Sequence, residues 1–566
     1  MQREALFLFC VFLITTVLSE VCIDGECSND KSICIEENNW SKQSLQNLQS
    51  SSSHKYGSFV DPIPLESCEL VDVNEELLSQ FNVDEDCFMN NVQSYLCGES
   101  LPPFASSYAH RYGGHQFGVW AGQLGDGRAL SWGKVNVKEG TKLFDYTLSK
   151  SWDWQVKGSG KTPYSRDGDG RAVLRSSIRE YLGSWAAYNL GIPTSLALGL
   201  VKEIEPTVVR DPLYNGNHIT EQGAVTLRIS PSWLRFGSFQ ILHKEKNTKA
   251  ISELLGFTID NHFTFLLKEG ESAMEIFKDN SKLKRAKELA NEFLIEVVLK
   301  TADLMAHWKA NGFCHGVINT DNMSILGLTI DFGPFAFMDE FDQSFICNGS
   351  DDKGRYKFAT QENIGMWNLK HFAESLGKYL SIAEQVNALG PYFDRVKNTF
   401  SNLMAMKLGF EGQVPLEVDQ GLIEALLEIM EEAKVDYHYF FRLLSLYMIE
   451  SDVPPKLVVE QLPEYSVSLF NSWWKLMCKR RQISGLDANV QRRNMLRKNP
   501  TYILRNHIAE KAIQDAIMGD YSTIQTLKRI LKKPTIKDSL LSEEEHQYYS
   551  SPPDKSIPKV IVTCSS

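Results

Sequence analysis

Apolar positions recur at helical spacing through much of the second half of the chain. Leu289, Phe293, Ile295, Val298, Ala302 and Met305 predict one long amphipathic helix over Leu283 to Lys309. The same period predicts helices over Met366 to Leu380, Phe393 to Leu408, Leu422 to Ala433, Tyr437 to Met448 and Val467 to Cys478. Short loops join them, as in a helical lobe. Before residue 240 the pattern is mixed. Trp154 and Val156, Ser195 to Val201, and Ala224 to Ile229 read as strands, the last hinge-like before a Ser-Pro break. Val173, Leu174, Ile178, Tyr181 and Leu182 predict an amphipathic helix starting just after the turn Asp167-Gly168-Asp169-Gly170. A strand-rich half followed by a helical half predicts an α+β, two-lobed chain.

The stretch from Cys314 to Phe337 lies where the long helix ends. Asp321-Asn322 is followed by Ile325, Leu326, Leu328 and Ile330, then by Asp331-Phe332-Gly333. A short apolar strand or hairpin between two polar turns holds Asn322 near Asp331. An amide oxygen and a carboxylate suit a hard divalent cation such as Mg2+, which keeps positions open for phosphates. Asp-Phe-Gly after such a strand is the metal-binding element of protein kinases. The kinase catalytic acid stands five residues before the asparagine. Here that position is Val317, which cannot accept a proton. Either the domain is inactive, or the base is elsewhere, or the chemistry differs from γ-phosphoryl transfer.

Further candidates lie earlier. Gly113 to Gly118 leads into Gly122-Gln123-Leu124-Gly125-Asp126-Gly127-Arg128. Such glycines let backbone N–H groups approach a polyphosphate, or simply form a hairpin turn. Arg128 adds a planar fork of donors. Gly160-Lys161-Thr162 is not a Walker A loop, because Gln155 stands where its first glycine is required. Lys157, ending a short strand, reads instead as a kinase-type strand lysine or as a surface lysine. Glu180, two turns into the following helix, is its ion-pair candidate. Arg228 and Arg235 are either two surface arginines or two fingers into an anion pocket.

The chain has 566 residues, 43% of them apolar, and a formal charge of -12. That charge argues against a duplex nucleic-acid binder and leaves room for one basic nucleotide pocket. Arg3 precedes an apolar run, Ala5 to Leu18, and Val17-Leu18-Ser19 offers a cleavage site. Residues 1–19 therefore read as a secretory signal, and no membrane span is expected after its removal. A mitochondrial presequence is the alternative, but Glu20, Asp24, Glu26 and Asp30 follow at once. Six of the eleven cysteines (Cys22, Cys27, Cys34, Cys68, Cys87 and Cys97) cluster early, which predicts disulfides of open connectivity in an oxidising compartment. Asn39-Trp40-Ser41 and Asn348-Gly349-Ser350 are glycosylation sequons. Residues 20–58 read as a mobile polar leader, 59–240 as an N-lobe, 241–540 as a helical C-lobe, and 541–566 as a mobile tail with an accessible thiol at Cys564.

Four ordered blocks, YGGHQFGVWAGQLGDGRAL (112–130), KGSGKTPYSRDGDGRAVLRSSIREYL (157–182), RISPSWLRFG (228–237) and HGVINTDNMSILGLTIDFGP (315–334), together resemble the selenoprotein O family. The resemblance implies a protein-kinase-like two-lobed fold, β-rich then helical. It implies transfer of AMP from ATP to Ser, Thr or Tyr hydroxyls of proteins, with Mg2+ or Mn2+. It places the nucleotide pocket on Gly125, Gly127, Arg128, Lys157, Asp169, Gly170, Arg228, Arg235 and Asp331. It places the metal on Asn322 and Asp331, the base on Asp321, and an ion pair on Lys157 and Glu180. The nucleotide is expected reversed relative to kinases, with the α-phosphate toward the acceptor. Cys564 holds the position of the family's selenocysteine, and a reversible Cys347–Cys564 disulfide is implied. The compartment best known for the family is mitochondrial or bacterial. Two other readings remain: a γ-phosphate kinase using Asp321, and a secreted nucleotide-binding pseudoenzyme.

Overall fold

A computed structural model describes residues 34–41, 43–48, 54–103, 105–141, 149–412, 417–554, 556 and 558–564. The signal, Cys22 and Cys27 lie outside the described residues. The strands are β1 (Trp40–Ser41), β2 (Gly57–Phe59), β3 (Cys68–Val73), β4 (Tyr108–His110), β5 (Gly113–Gln116), β6 (Val119–Gln123), β7 (Ala129–Asn136), β8 (Ser151–Lys157), β9 (Ala172–Val173), β10 (Leu196–Glu203), β11 (Val208–Arg210), β12 (Ile219–Glu221) and β13 (Gly223–Ser230). The main sheet runs β2-β4-β7-β8-β13-β10-β3, with β1 added to β7 and β9 to β13. All its pairings are antiparallel.

Strand β8 shows why the sheet has a polar and an apolar side. Its side chains alternate between faces. Trp152, Trp154 and Val156 are buried on one side, where Trp154 meets Phe81 and Phe88 at ring centroids 5.3 and 5.5 Å apart. Phe88 belongs to helix α1 (Glu85–Cys97), which covers that face. Asp153, Gln155 and Lys157 share the other face. Register sets Gln155 opposite Arg228 and Lys157 opposite Thr226 on β13. β13 is therefore a central strand, not a hinge.

Helix α2 (Leu174–Asn189) contributes the partner of Lys157, and α3 (Phe236–Lys244) follows Arg235. Helix α4 (Leu283–Ala310) is the predicted long helix and runs into the stretch 314–337. The helical lobe continues through α5 (Gln361–Glu374), α6 (Tyr392–Lys407), α7 (Glu417–Ala433), α8 (Tyr437–Leu446) and α9 (Glu464–Ile483). Helices α10 (Asn506–Ile517) and α11 (Ser522–Lys532) turn back onto α2. Trp185 Nε1 donates to Lys528 O at 2.9 Å, and Lys528 Nζ reaches Asp72 at 2.8 Å. This is an α+β architecture consistent with a kinase-like fold. Among the described residues no helix is long and apolar enough to cross a membrane.

Several expectations change. The described part of the leader (34–41, 43–48 and 54–58) is docked rather than mobile. Ile35, Leu45 and Tyr56 are buried, β1 joins the sheet, and Cys34 is bonded to Cys87. A second disulfide joins Cys68 to Cys97. The segment carries its own apolar anchors, which overall polarity concealed. The tail is also docked. Ser542 and Glu545 form a reciprocal capping box that starts a helix over Glu543–Ser550. Val562 then pairs with Asn348, and Gly349 N–H donates to Val562 O at 2.8 Å. The second sequon is closed off as well: Asn348 is 1% exposed and its amide donates to Gly316 O at 3.0 Å. A glycan there is incompatible with the fold.

One pH effect follows from the sheet. His110 on β4 is buried, and burial pushes its imidazole down to about 4. An unfolded histidine titrates near 6.5. Between those values the unfolded chain binds a proton that the folded chain refuses, so this contribution is full above pH 6.5 and lost as pH falls toward 4. Urea unfolding at pH 7 and pH 5 should show a loss of about 2 kcal/mol from this residue. His110→Gln should lessen that slope, and an unchanged slope would refute the assignment.

Candidate functional site

The site is built mainly from the face of β8 and β13, helix α2, the glycine-rich turn before β7, the loop 165–171 and the stretch 315–334, with the β5–β6 hairpin, β11 and Cys564 at its edges. They enclose a cavity of about 770 Å³. That is within the usual range for ligand pockets. Gly125, Gly127, Arg128, Lys157, Asp169, Gly170, Arg228, Asp321, Asn322 and Asp331 all line it. Arg235 and Glu180 stand behind this wall and act through the residues that form it.

Asp331 is the electrostatic centre. Arg228 Nη1 donates to its Oδ1 at 2.6 Å, and Arg235 Nη1 to its Oδ2 at 2.7 Å. Lys157 Nζ lies 3.8 Å away. Burial pushes its carboxyl up, but Arg235, Arg228 and Lys157 outweigh that and hold it well below the usual carboxylate range. Its φ of +57° is the left-handed region, which turns the chain sharply between Ile330 and Phe332. Ile330 and Phe332 are buried on either side, so the turn presents the carboxylate to the cavity.

The predicted ion pair is present: Lys157 Nζ to Glu180 Oε2 is 3.0 Å. Glu180 also accepts from Arg228 at 2.9 Å. Burial raises Glu180, yet Lys157 and Arg228 bring it below its ordinary value. Burial lowers Lys157, against the opposing pull of Glu180. Breaking such a buried pair from one side leaves an uncompensated charge.

Asp321 sits differently. It is 7% exposed, and burial pushes it up to about 6. Its Oδ2 accepts from Gln116 Nε2 at 3.1 Å. Its Oδ1 is buried and has no hydrogen-bond partner among the described residues. Two carboxylates in one cavity thus have opposite tendencies, Asp331 firmly ionised and Asp321 poised to take a proton.

The residues fit a shared divalent cation. Asn322 Nδ2 donates to Val317 O at 3.0 Å, which leaves its amide oxygen as the acceptor. Asp331 retains lone pairs beyond the two arginine bonds. Among the described residues no group of three or more His, Cys, Asp or Glu side chains forms a metal cluster. Two oxygen donors suit a hard ion that completes its shell with phosphates and water.

Residues 323–330 form no regular strand but a loop pinned by bridges from Ser324 to Arg235 and from Thr329 to Thr194. Of the two readings of Gly113 to Gly118, the structure has the hairpin turn. This segment forms the β5–β6 hairpin, which docks on residues 319–321. The sequence did not disclose Asp126 and Gln155 as members of the site. Gln155 accepts from Arg228 and donates to Asp126 Oδ2 at 3.1 Å. The signal for Gln155 was its i,i+2 relation to Lys157. Arg210 on β11 holds Asp169 through two bonds of 2.7 and 2.9 Å, and no local pattern announced it.

Cys347 and Cys564 are both thiols here, not a disulfide. Cys347 is buried under Gly316 and donates to Cys314 O at 3.3 Å. Cys564 lines the cavity and contacts the Asn348 amide at 3.4 Å. Burial raises its thiol, so it is less reactive than a thiol on a free end.

The family described as Protein adenylyltransferase SelO matches residues 40–532, from the first residue of β1 to the last of α11. The chain is also 38% identical over 503 residues to Protein nucleotidyltransferase YdiU of Pseudomonas fluorescens (strain SBW25), covering 88% of this chain and 94% of that protein. Since the match runs through both lobes and all four sequence blocks, the chain belongs to the SelO family of nucleotidyltransferases.

Proposed function

We propose that the protein transfers AMP from ATP to hydroxyl side chains of other proteins and releases pyrophosphate. The observation that carries this reading is the pairing of two unlike carboxylates in one basic cavity. Asp321 takes the proton of the attacking hydroxyl as its oxygen bonds to the α-phosphorus. The bond from the α-phosphorus to the bridging oxygen breaks, and pyrophosphate leaves with that electron pair. Arg228, Lys157 and Arg128 offset negative charge on the phosphates, with Glu180 holding Lys157 in place and Arg235 holding Asp331. Asn322 and Asp331 would hold Mg2+, or Mn2+ in its stead, which supplies further charge neutralisation and alignment of the phosphates. Positioning and preorganised charge then supply most of the acceleration.

ATP labelled separately at the α- and γ-phosphates tests the reading. Label from the α-phosphate is expected on protein, with none from the γ-phosphate. Label from γ alone would make the protein a kinase. Label from neither, with nucleotide bound, would leave a nucleotide-binding scaffold.

A further inference from the structure

The β5–β6 hairpin runs along the catalytic loop residue by residue. His115 N–H donates to Thr320 Oγ1 at 2.8 Å. Gln116 Nε2 donates to Asp321 Oδ2 at 3.1 Å. Phe117 N–H donates to Asn319 Oδ1 at 3.2 Å and to the Tyr356 hydroxyl at 2.9 Å, while that hydroxyl itself bonds Asn319. Three consecutive hairpin residues thus hold three consecutive loop residues. These bonds join residues far apart in sequence, so none is a local consequence of the loop's own conformation.

The approach is close. A methyl group at Gly114 would lie 2.6 Å from Asp321 Oδ1 and 2.9 Å from its Cβ. Phe117 adopts φ +49°, a conformation that non-glycine residues rarely take, and it aims the N–H at Asn319 and Tyr356. Gln116 and Phe117 both reach the cavity wall. Of all side chains among the described residues, Gln116 alone donates to the Asp321 carboxylate.

We propose that Gln116 is a positioning residue for the base: its amide fixes the rotation of the Asp321 carboxylate about the Cβ–Cγ bond. The inference rests on Asp321 being the base of the transfer proposed above. With Oδ1 unbonded, loss of the Gln116 donor frees the carboxylate to turn away from the incoming hydroxyl. Misorientation of a reacting group on that scale costs roughly tenfold to a hundredfold in rate. Nucleotide binding, which falls on other residues of the cavity, is untouched.

The test compares Gln116→Met, which keeps the length and loses the donor, with Gln116→Glu, which places an acceptor against the carboxylate. Initial rates of α-label transfer should fall about tenfold to a hundredfold in kcat for Gln116→Met, and further for Gln116→Glu. KM for ATP should stay within about twofold in both. A side chain needed only for packing would be satisfied by methionine. Wild-type kcat in Gln116→Met, or a loss carried in KM for ATP, overturns the inference. Hydrogen exchange of the peptide spanning 317–323 gives a readout independent of activity. It should match wild type in Gln116→Met, because the His115 and Phe117 bonds to the loop remain, and a quickened exchange, which would mean that the loop itself had come loose, overturns the inference. Absence of α-label transfer in the wild-type protein would instead count against the proposed function.

Discussion

Asp331→Asn is expected to lower AMP transfer by roughly a thousandfold or more while the chain stays folded. Asparagine keeps the size of the side chain and tolerates the left-handed backbone at φ +57°. What it loses is charge. The cation site then keeps only two neutral amides, that of Asn322 and the one introduced by the substitution, which hold a divalent ion poorly. Arg228 and Lys157 keep Glu180 as their near carboxylate and Arg235 lies 3.9 Å from Asp126, and with the Asp331 charge gone the cavity becomes more positive. Cation-free binding of ATP should therefore be retained or strengthened even as transfer disappears. Rates with α-labelled ATP and calorimetry in the presence of a chelator measure the two halves. Full activity in Asp331→Asn would remove this carboxylate from the cation site. Asp331→Ala should be equally inactive and less stable, because a left-handed φ costs alanine about 1–2 kcal/mol and the arginines lose their acceptor.

Asp321→Asn is expected to lower kcat by roughly a hundredfold to ten-thousandfold with little change in KM for ATP. The same substitution should stabilise the protein at neutral pH. Burial pushes Asp321 up to about 6, above its unfolded value. The folded chain therefore binds a proton more readily than the unfolded chain between those two values. The protonated group's stability is present below pH 4 and is lost as pH rises through about 6. At pH 7 the wild-type protein bears the cost of a buried, ionised carboxylate, and asparagine does not. A gain of about 1–3 kcal/mol is expected at pH 7, shrinking at pH 4. A variant both inactive and destabilised at pH 7 would mean that Asp321 serves the fold rather than the chemistry.

The opposite environments of these two aspartates come from supersecondary contacts that differ in sequence range. Asp331 is ionised because β13 and the start of α3 deliver Arg228 and Arg235 to it. Asp321 is raised because the β5–β6 hairpin covers it. The second contact also explains why the kinase position at Val317 is dispensable under the proposed chemistry. Under that proposal the base is Asp321, next to Asn322, and the hairpin packs directly against it.

The long helix α4 and the helices after it were legible because a 3.6-residue period survives any tertiary context that buries one face. The Lys157–Glu180 pair was legible because strand alternation and helix phase each point one side chain inward, and the two side chains meet at 3.0 Å. The blocks that resemble the SelO family carried the nucleotide-pocket and metal assignments onto single positions. By itself, then, the sequence determined the helical lobe, the family and many of the residues that line the cavity, though not Asp126 or Arg210. Tertiary structure alone decided the docking of the described parts of the leader and tail, the closed sequon at Asn348, and the Gln116 bond to Asp321. Each of these depends on side chains brought together from distant parts of the chain. Local propensity has no information about such pairs, because their energy exists only once the intervening chain has folded.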